Sequence, residues 1–425
     1  MIKNKVSEAH RNLKNREEEA VQRLAKNLPN APHTVKVGTH VIEAPAFVYA
    51  VLLLIAACFL IPLCAVITQH AVLDFAQGTA YVANLSISIS ILLIEIICMV
   101  LFSVGAIWLA LRMLRGVTYW RLHITEALLL DVVTLILAHM MLFGISSILI
   151  FYGLMLALLI ALHSYFDPQL ALERANEDTQ HETLKEMLHA SSERTYVPGR
   201  PLGKGYITLN FFNLFWIFVI AAILGLVIET IYHAIVFGGY QDRAGILWGP
   251  FSPIYGFGAV IMTIALNRFH SKPIWLIFLV SAVLGGAFEF CVSYFMEYAF
   301  GITAWNYTGT FLSIGGRTNF MFMCFWGLLG VLWIKLLLPV MLYFVKKIPW
   351  SIRYTLTTAC ALLLIFDGLF TIVTIDCWYK REAGDPITTQ VEKFCERHYD
   401  DAYMQNRFQT MTMDPANATR TRESL

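Results

Sequence analysis

The chain has 425 residues, 57% of them hydrophobic and 14% charged, with a mean hydropathy of +0.61. A soluble domain carries about 25% charged residues, so a soluble globular protein is excluded. The net charge of +1 offers no bulk attraction to a polyanion, and no nucleic-acid partner is expected.

Residues 1–46 are polar and hold eight Lys and Arg. Val6, Ala9, Leu13, Ala20, Leu24 and Leu28 recur at three- or four-residue steps, which predicts an amphipathic helical arm. The apolar run that follows is full length and reads as a span, not a cleaved leader. A bilayer crossing needs roughly 20 apolar residues, and backbone groups in lipid must be satisfied internally, which makes such runs helices. Spans are predicted near 47–69, 85–111, 122–143 and 145–163. A polar segment, 164–208, carries Leu170, Leu184 and Leu188 at looser helical spacing after Asp167-Pro168. Five more spans are predicted near 209–237, 253–266, 274–298, 320–345 and 350–375, the sixth of the nine being short and starting at Pro253. The polar tail 376–425 completes the chain. The fold class expected is an all-α polytopic integral membrane protein with about nine transmembrane helices.

Lys and Arg are enriched on the cytoplasmic side of membrane proteins. Basic residues fill residues 1–46, the turn holding Arg112, Arg115 and Arg121, the segment 164–205, and the turns at 267–273 and 346–353. The loops 238–252 and 299–319 hold one Arg each, Arg243 and Arg317, and loop 70–84 holds none. This alternation places the amino terminus and the 164–208 linker in the cytoplasm and the tail outside. The division predicted is a cytoplasmic arm 1–46, a four-span region 47–163, a cytoplasmic linker 164–208, a five-span region 209–375 and an extracytoplasmic tail 376–425.

Several motifs fail. Gly203-Lys204-Gly205 lacks the glycine and hydroxyl spacing of a phosphate loop, so the chain has no nucleotide-binding site of that type. No Gly-x-Ser-x-Gly elbow occurs. Glu229 and His233 lie one turn apart, but no second His or Cys pair completes a metal set. No cofactor and no metal are expected, and no hydrolase signature argues for an enzyme. Six cysteines fall inside apolar runs as small hydrophobes. Cys377 and Cys395, with 17 residues between them, lie in the tail predicted to be outside, where disulfides persist; they are a candidate pair.

The ionisable residues of the second half remain. Glu229 lies near the outer end of its span, Glu289 in the outer half of the next long one, and Glu297 at that helix's outer end. An intramembrane carboxylate is costly and is by default a functional hypothesis. Arg243 and Arg317 come from the two outer loops, which are dense in Gly and aromatic residues: Gly249, Pro250, Pro253, Tyr255 and Gly256 around the first, Trp305, Tyr307 and Gly316 around the second. Two readings fit. Glu and Arg pair to hold the loops, or Glu229, Arg243, Tyr255, Glu289, Glu297, Trp305, Tyr307 and Arg317 line a polar substrate pocket in which the arginines meet anions.

From Phe211 to about Met413 the chain resembles the ABC-transporter type IV family of CmpB-like bacterial membrane proteins. The resemblance rests on Gly225-Leu226-Val227-Ile228-Glu229-Thr230, on Arg243 through Gly258 with its Gly249-Pro250-Phe251-Ser252-Pro253-Ile254-Tyr255-Gly256 string, on Phe288-Glu289-Phe290, Glu297, Trp305-Asn306-Tyr307, Gly316-Arg317 and Phe325-Trp326-Gly327. The family carries Trp-Asp-Tyr where this chain has Asn306. The resemblance implies a permease-like protein of the bacterial cytoplasmic membrane, surrounded by lipid and working with a separate cytoplasmic ATPase. An outer-leaflet headgroup-binding protein or a membrane enzyme using paired carboxylates is the alternative, and an assembly subunit a third.

Overall fold

In a computed structural model, residues 34–37, 40–77, 80–81, 85–117, 121–166, 207, 209, 211–345, 347–348, 350–420 and 422–423 are described. The helices predicted at Val6–Leu28 and Leu170–Leu188 lie outside the described residues. Each of the nine apolar runs is a helix: α1 (Ala44–Gln77), α2 (Leu85–Leu114), α3 (Arg121–Phe143), α4 (Ile148–Phe166), α5 (Phe211–Phe237), α6 (Pro253–Leu266), α7 (Ile274–Phe300), α8 (Phe320–Leu332, continued through a π turn and Leu338–Val345) and α9 (Trp350–Ala383). Seven of them are long and apolar enough to cross a membrane, while the apolar parts of α4 and α6, Ile148–His163 and Pro253–Leu266, are shorter. The chain is a multi-pass membrane protein. Their outward faces carry large apolar side chains such as Phe59, Leu130, Ile235 and Leu363 in the open, as expected where lipid is the solvent.

The chain divides into two compact units, and the candidate site belongs wholly to the second, which comprises Tyr81–Ile89, His139–Ser146 and Lys204–Leu425. In the first unit a short antiparallel hairpin, β1 (Thr34–Val37) with β2 (His40–Glu43), leads into α1. Polar residues of this unit are buried or meet one another. Glu95 is fully buried, Cys98 hydrogen-bonds Asp131, and Glu126 meets His123 at 3.0 Å and His163 at 3.7 Å. In the second unit His139 pairs with Ser146 at 2.7 Å. Interhelical and loop hydrogen bonds of this kind are the usual role of polar groups in spans.

In the second unit, small residues allow close packing. Gly225 of α5 lies directly under the Tyr255 ring of α6, and Gly285 of α7 under Trp326 of α8. A Cβ at either place would collide with the ring, so these two contacts set where Tyr255 and Trp326 stand. The π turn of α8, Trp333–Leu337, aims Trp333 at the Thr263 hydroxyl (2.9 Å) and lets the Lys335 ammonium reach the His270 carbonyl (2.5 Å).

The last helix runs to Ala383, eight residues past the predicted span end. It continues because its polar end is partnered by the tail. α10 (Gln390–His398) starts with a capping box, in which the Glu392 amide donates to Thr389 and the Glu392 carboxylate accepts from the Thr389 amide. Lys380 bonds Glu392 (2.9 Å), and Arg381 bonds Asp401 (2.6 Å) at the start of α11 (Asp401–Arg407). β3 (Ile302–Thr303) pairs antiparallel with β4 (Thr412–Met413). Gly301, at φ +64°, abuts the Asp414 carbonyl, a place only glycine fills without strain. Near the end of the chain Arg420 is buried between the Phe300 and Tyr379 rings and bonded to Asp376 at 2.5 Å.

Candidate functional site

The loop 238–252 has no helix or strand, so its backbone groups and charges must be met elsewhere. α9 meets two of them. The Leu247 amide donates to Thr371 (2.9 Å) and the Trp248 amide to Asp367 (3.3 Å). The Trp248 ring stacks on Phe370 at 5.3 Å. Arg407 of the tail meets three more, donating to Asp242 (2.6 Å) and to the carbonyls of Ile246 and Gly249 (2.7 and 2.9 Å). The loop is thereby a fixed support for Arg243. Gly249 takes φ +74°; Pro253 occupies the first turn of α6, where a missing amide costs nothing.

Three carboxylates occupy this face of the second unit, each in a different environment. Glu229 accepts from two guanidinium N–H groups of Arg243, one at 2.7 Å, and hydrogen-bonds the Tyr255 hydroxyl. Glu297 accepts from Arg317 at 2.6 Å. That guanidinium also stands over Phe290, Tyr294 and Tyr298 at 5.8, 5.4 and 5.3 Å, three rings at four-residue spacing on one face of α7. Trp305 donates to the Arg317 carbonyl (2.8 Å).

Glu289 differs. It is 5% exposed and receives Tyr307 (2.9 Å), Thr318 (2.9 Å) and Trp326, all neutral donors. Burial raises the Tyr307 phenol above its ordinary value, and the Glu289 charge raises it further, so Tyr307 remains a donor. Tyr255 and Tyr307 each feel both Glu229 and Glu289. Glu229, Arg243, Tyr255, Tyr307 and Glu289 therefore form one polar cluster, with Glu297, Arg317 and Trp305 as a second group joined to it through the Arg317–Thr318 backbone.

Thr318 and Trp326 are partners of Glu289 that sequence reasoning missed. Thr318 carries no periodic or motif signal, and Trp326, though part of the Phe325-Trp326-Gly327 string of the resemblance, gives no sign of its carboxylate partner. Asn306 caps its turn by accepting from the amide and hydroxyl of Thr308 (2.9 and 2.6 Å), a task an aspartate performs equally. Gly316, at φ +72°, returns the loop so that its carbonyl accepts from the Tyr307 amide at 2.7 Å. Gly256 lies against Phe218 of α5. Cys377 and Cys395 are both buried thiols, hydrogen-bonded to each other.

Comparison with known proteins places the cluster in context. Residues 216–372 match the model of the family described as "Putative ABC-transporter type IV". Glu229, Arg243, Tyr255, Glu289, Glu297, Trp305, Tyr307 and Arg317 all fall inside the match, while the tail that carries Arg407 and Arg420 falls outside it. No curated protein and no solved structure matches the chain.

Proposed function

We propose that this chain is a permease-like transport protein of the bacterial cytoplasmic membrane, crossing it nine times, with Glu289 on the substrate path. The observation that carries the reading is the environment of Glu289. Glu229 and Glu297 are neutralised by arginines within the fold; Glu289 is buried in an apolar helix and held by neutral donors alone. A carboxylate in that setting costs free energy unless a cation or a proton joins it. The cluster is electrostatically complementary to a cationic substrate group or to a coupled proton, and the arginines serve to hold loops, not to bind anions.

The sidedness of the basic turns assigns the Gly-aromatic loops and the tail to the outer face. Their mutual contacts support this, since Arg407 bonds loop 238–252 and β4 pairs with β3. A separate ATPase at the inner face would supply energy, consistent with the family matched. The test is purification from host membranes in mild detergent. An ATPase should co-purify, its rate should respond to inorganic or amine cations, and Glu289→Gln should abolish the response while the partner stays bound. No co-purifying ATPase, or a response indifferent to Glu289→Gln, overturns the reading.

A further inference from the structure

We propose that Cys377 and Cys395 form a disulfide that staples the tail to the end of α9. Four observations converge. The two sulfurs lie in hydrogen-bond contact. Both residues are buried, Cys395 completely and Cys377 at 4% exposure. The helix that carries Cys395 is held to the end of α9 by Lys380–Glu392, and Arg381–Asp401 ties the start of α11 to the same end. The remaining six cysteines sit on α1, α2, α7, α8 and α9 as members of apolar runs, which leaves this pair chemically distinct among the described residues.

The bond forms by exchange with an external disulfide, either of a thiol oxidoreductase or of a small thiol. The Cys395 thiolate attacks one sulfur of that disulfide, forming a mixed disulfide and expelling the first thiolate. The Cys377 thiolate then attacks the Cys395 sulfur, forming the Cys377–Cys395 bond and expelling the second. Two cysteine protons and two electrons pass to the oxidant, which leaves as two thiols. Burial makes the exchange a step that precedes docking of α10 and afterwards shields the bond from reductants.

The staple has a consequence for the candidate site. The tail segment beyond Cys395 supplies Arg407 to loop 238–252 and the strand that pairs with Ile302–Thr303. Holding α10 on α9 keeps both clamps at high local concentration.

The experiment uses full-length protein in host membranes, alkylated with N-ethylmaleimide before lysis and digested with trypsin without reductant. The expected product is the peptide Phe394–Arg397 joined to the peptide Tyr354–Lys380, with fragmentation placing the link on Cys377 and not on Cys360, and it is lost on reduction. Recovery of both peptides with maleimide on Cys377 and Cys395 overturns the proposal, as does linkage of Cys395 to any other cysteine. A second measurement does not depend on variants folding. Cleavage after Lys393 by added trypsin in detergent should accelerate on reduction, on the order of a hundredfold for a closed loop of this length. An unchanged rate excludes the staple.

Discussion

Replacing Tyr307 by Phe removes one of the hydroxyls that hold Glu289. A buried acceptor left short of a donor costs about 1–3 kcal/mol, so Tyr307→Phe should lower the thermal midpoint in detergent by several degrees. Glu289→Gln keeps shape and one carbonyl acceptor and should unfold within about 1 kcal/mol of the parent. A collapse of Glu289→Gln would show that the charge itself holds the fold. The Glu229–Arg243 pair predicts a different pattern. Breaking a largely buried pair from one side leaves an uncompensated charge, so Arg243→Met should cost about 3 kcal/mol. Arg243→Met with Glu229→Leu should recover most of that loss, and a thermal-unfolding cycle reads the coupling. At this scale the sequence was informative about charges and poor about their neutral partners. Glu229, Arg243, Glu297 and Arg317 were legible because membrane depth makes any charge conspicuous. Thr318 was not, because a hydroxyl in an apolar chain is ordinary until its neighbour is known, and Trp326 was legible as part of a motif but not as a donor to Glu289.

The tail is the element that sequence reasoning read least well. Its arginines count as solvated charges in one dimension, yet Arg407 satisfies two carbonyls and a carboxylate 158 to 165 residues away. Arg407→Ala should raise amide exchange across Ile246–Gly249 while leaving α5 protected, and equal exchange in both variants would refute the clamp. Thr419 is fully buried and its hydroxyl donates to the Met141 carbonyl at 2.9 Å, which makes it a packing residue. Docking of α10 should also be acid-sensitive. Burial favours the neutral form of Glu392, but the Thr389 and Thr388 amides and the Lys380 ammonium outweigh it and bring the carboxyl down to about 2. A depressed folded value means the stabilisation is present above the ordinary value of 4.5 and is lost as pH falls towards about 2. Trypsin cleavage after Lys393 following acid pulses should rise in that window, and Glu392→Gln should remove the dependence.

For the whole molecule, the nine helices follow the nine apolar runs, and seven have full spanning length. The sidedness argument makes a direct prediction. Tyr240 and Phe311 are 78% and 73% exposed on the two Gly-aromatic loops, so Tyr240→Cys and Phe311→Cys should react with a membrane-impermeant maleimide on intact cells. Lys272→Cys, in a basic turn, should react only after permeabilisation. Labelling of Tyr240→Cys and Lys272→Cys on intact cells, with Phe311→Cys protected, would invert the half of the chain beyond α6. The short α6 remains the hinge of that count, and its length is visible in sequence because Pro253 starts it and Arg268 ends the apolar run. Chain order alone determined the helices, the basic alternation and the identity of the conspicuous charges, since each depends on residue type within a window of about 20 residues. Only the tertiary structure decided which carboxylates are neutralised, that Glu289 is not, and that the tail folds back to clamp the loops. Those outcomes depend on contacts between residues far apart in the chain, set by where glycines such as Gly225 and Gly285 let helices close upon one another.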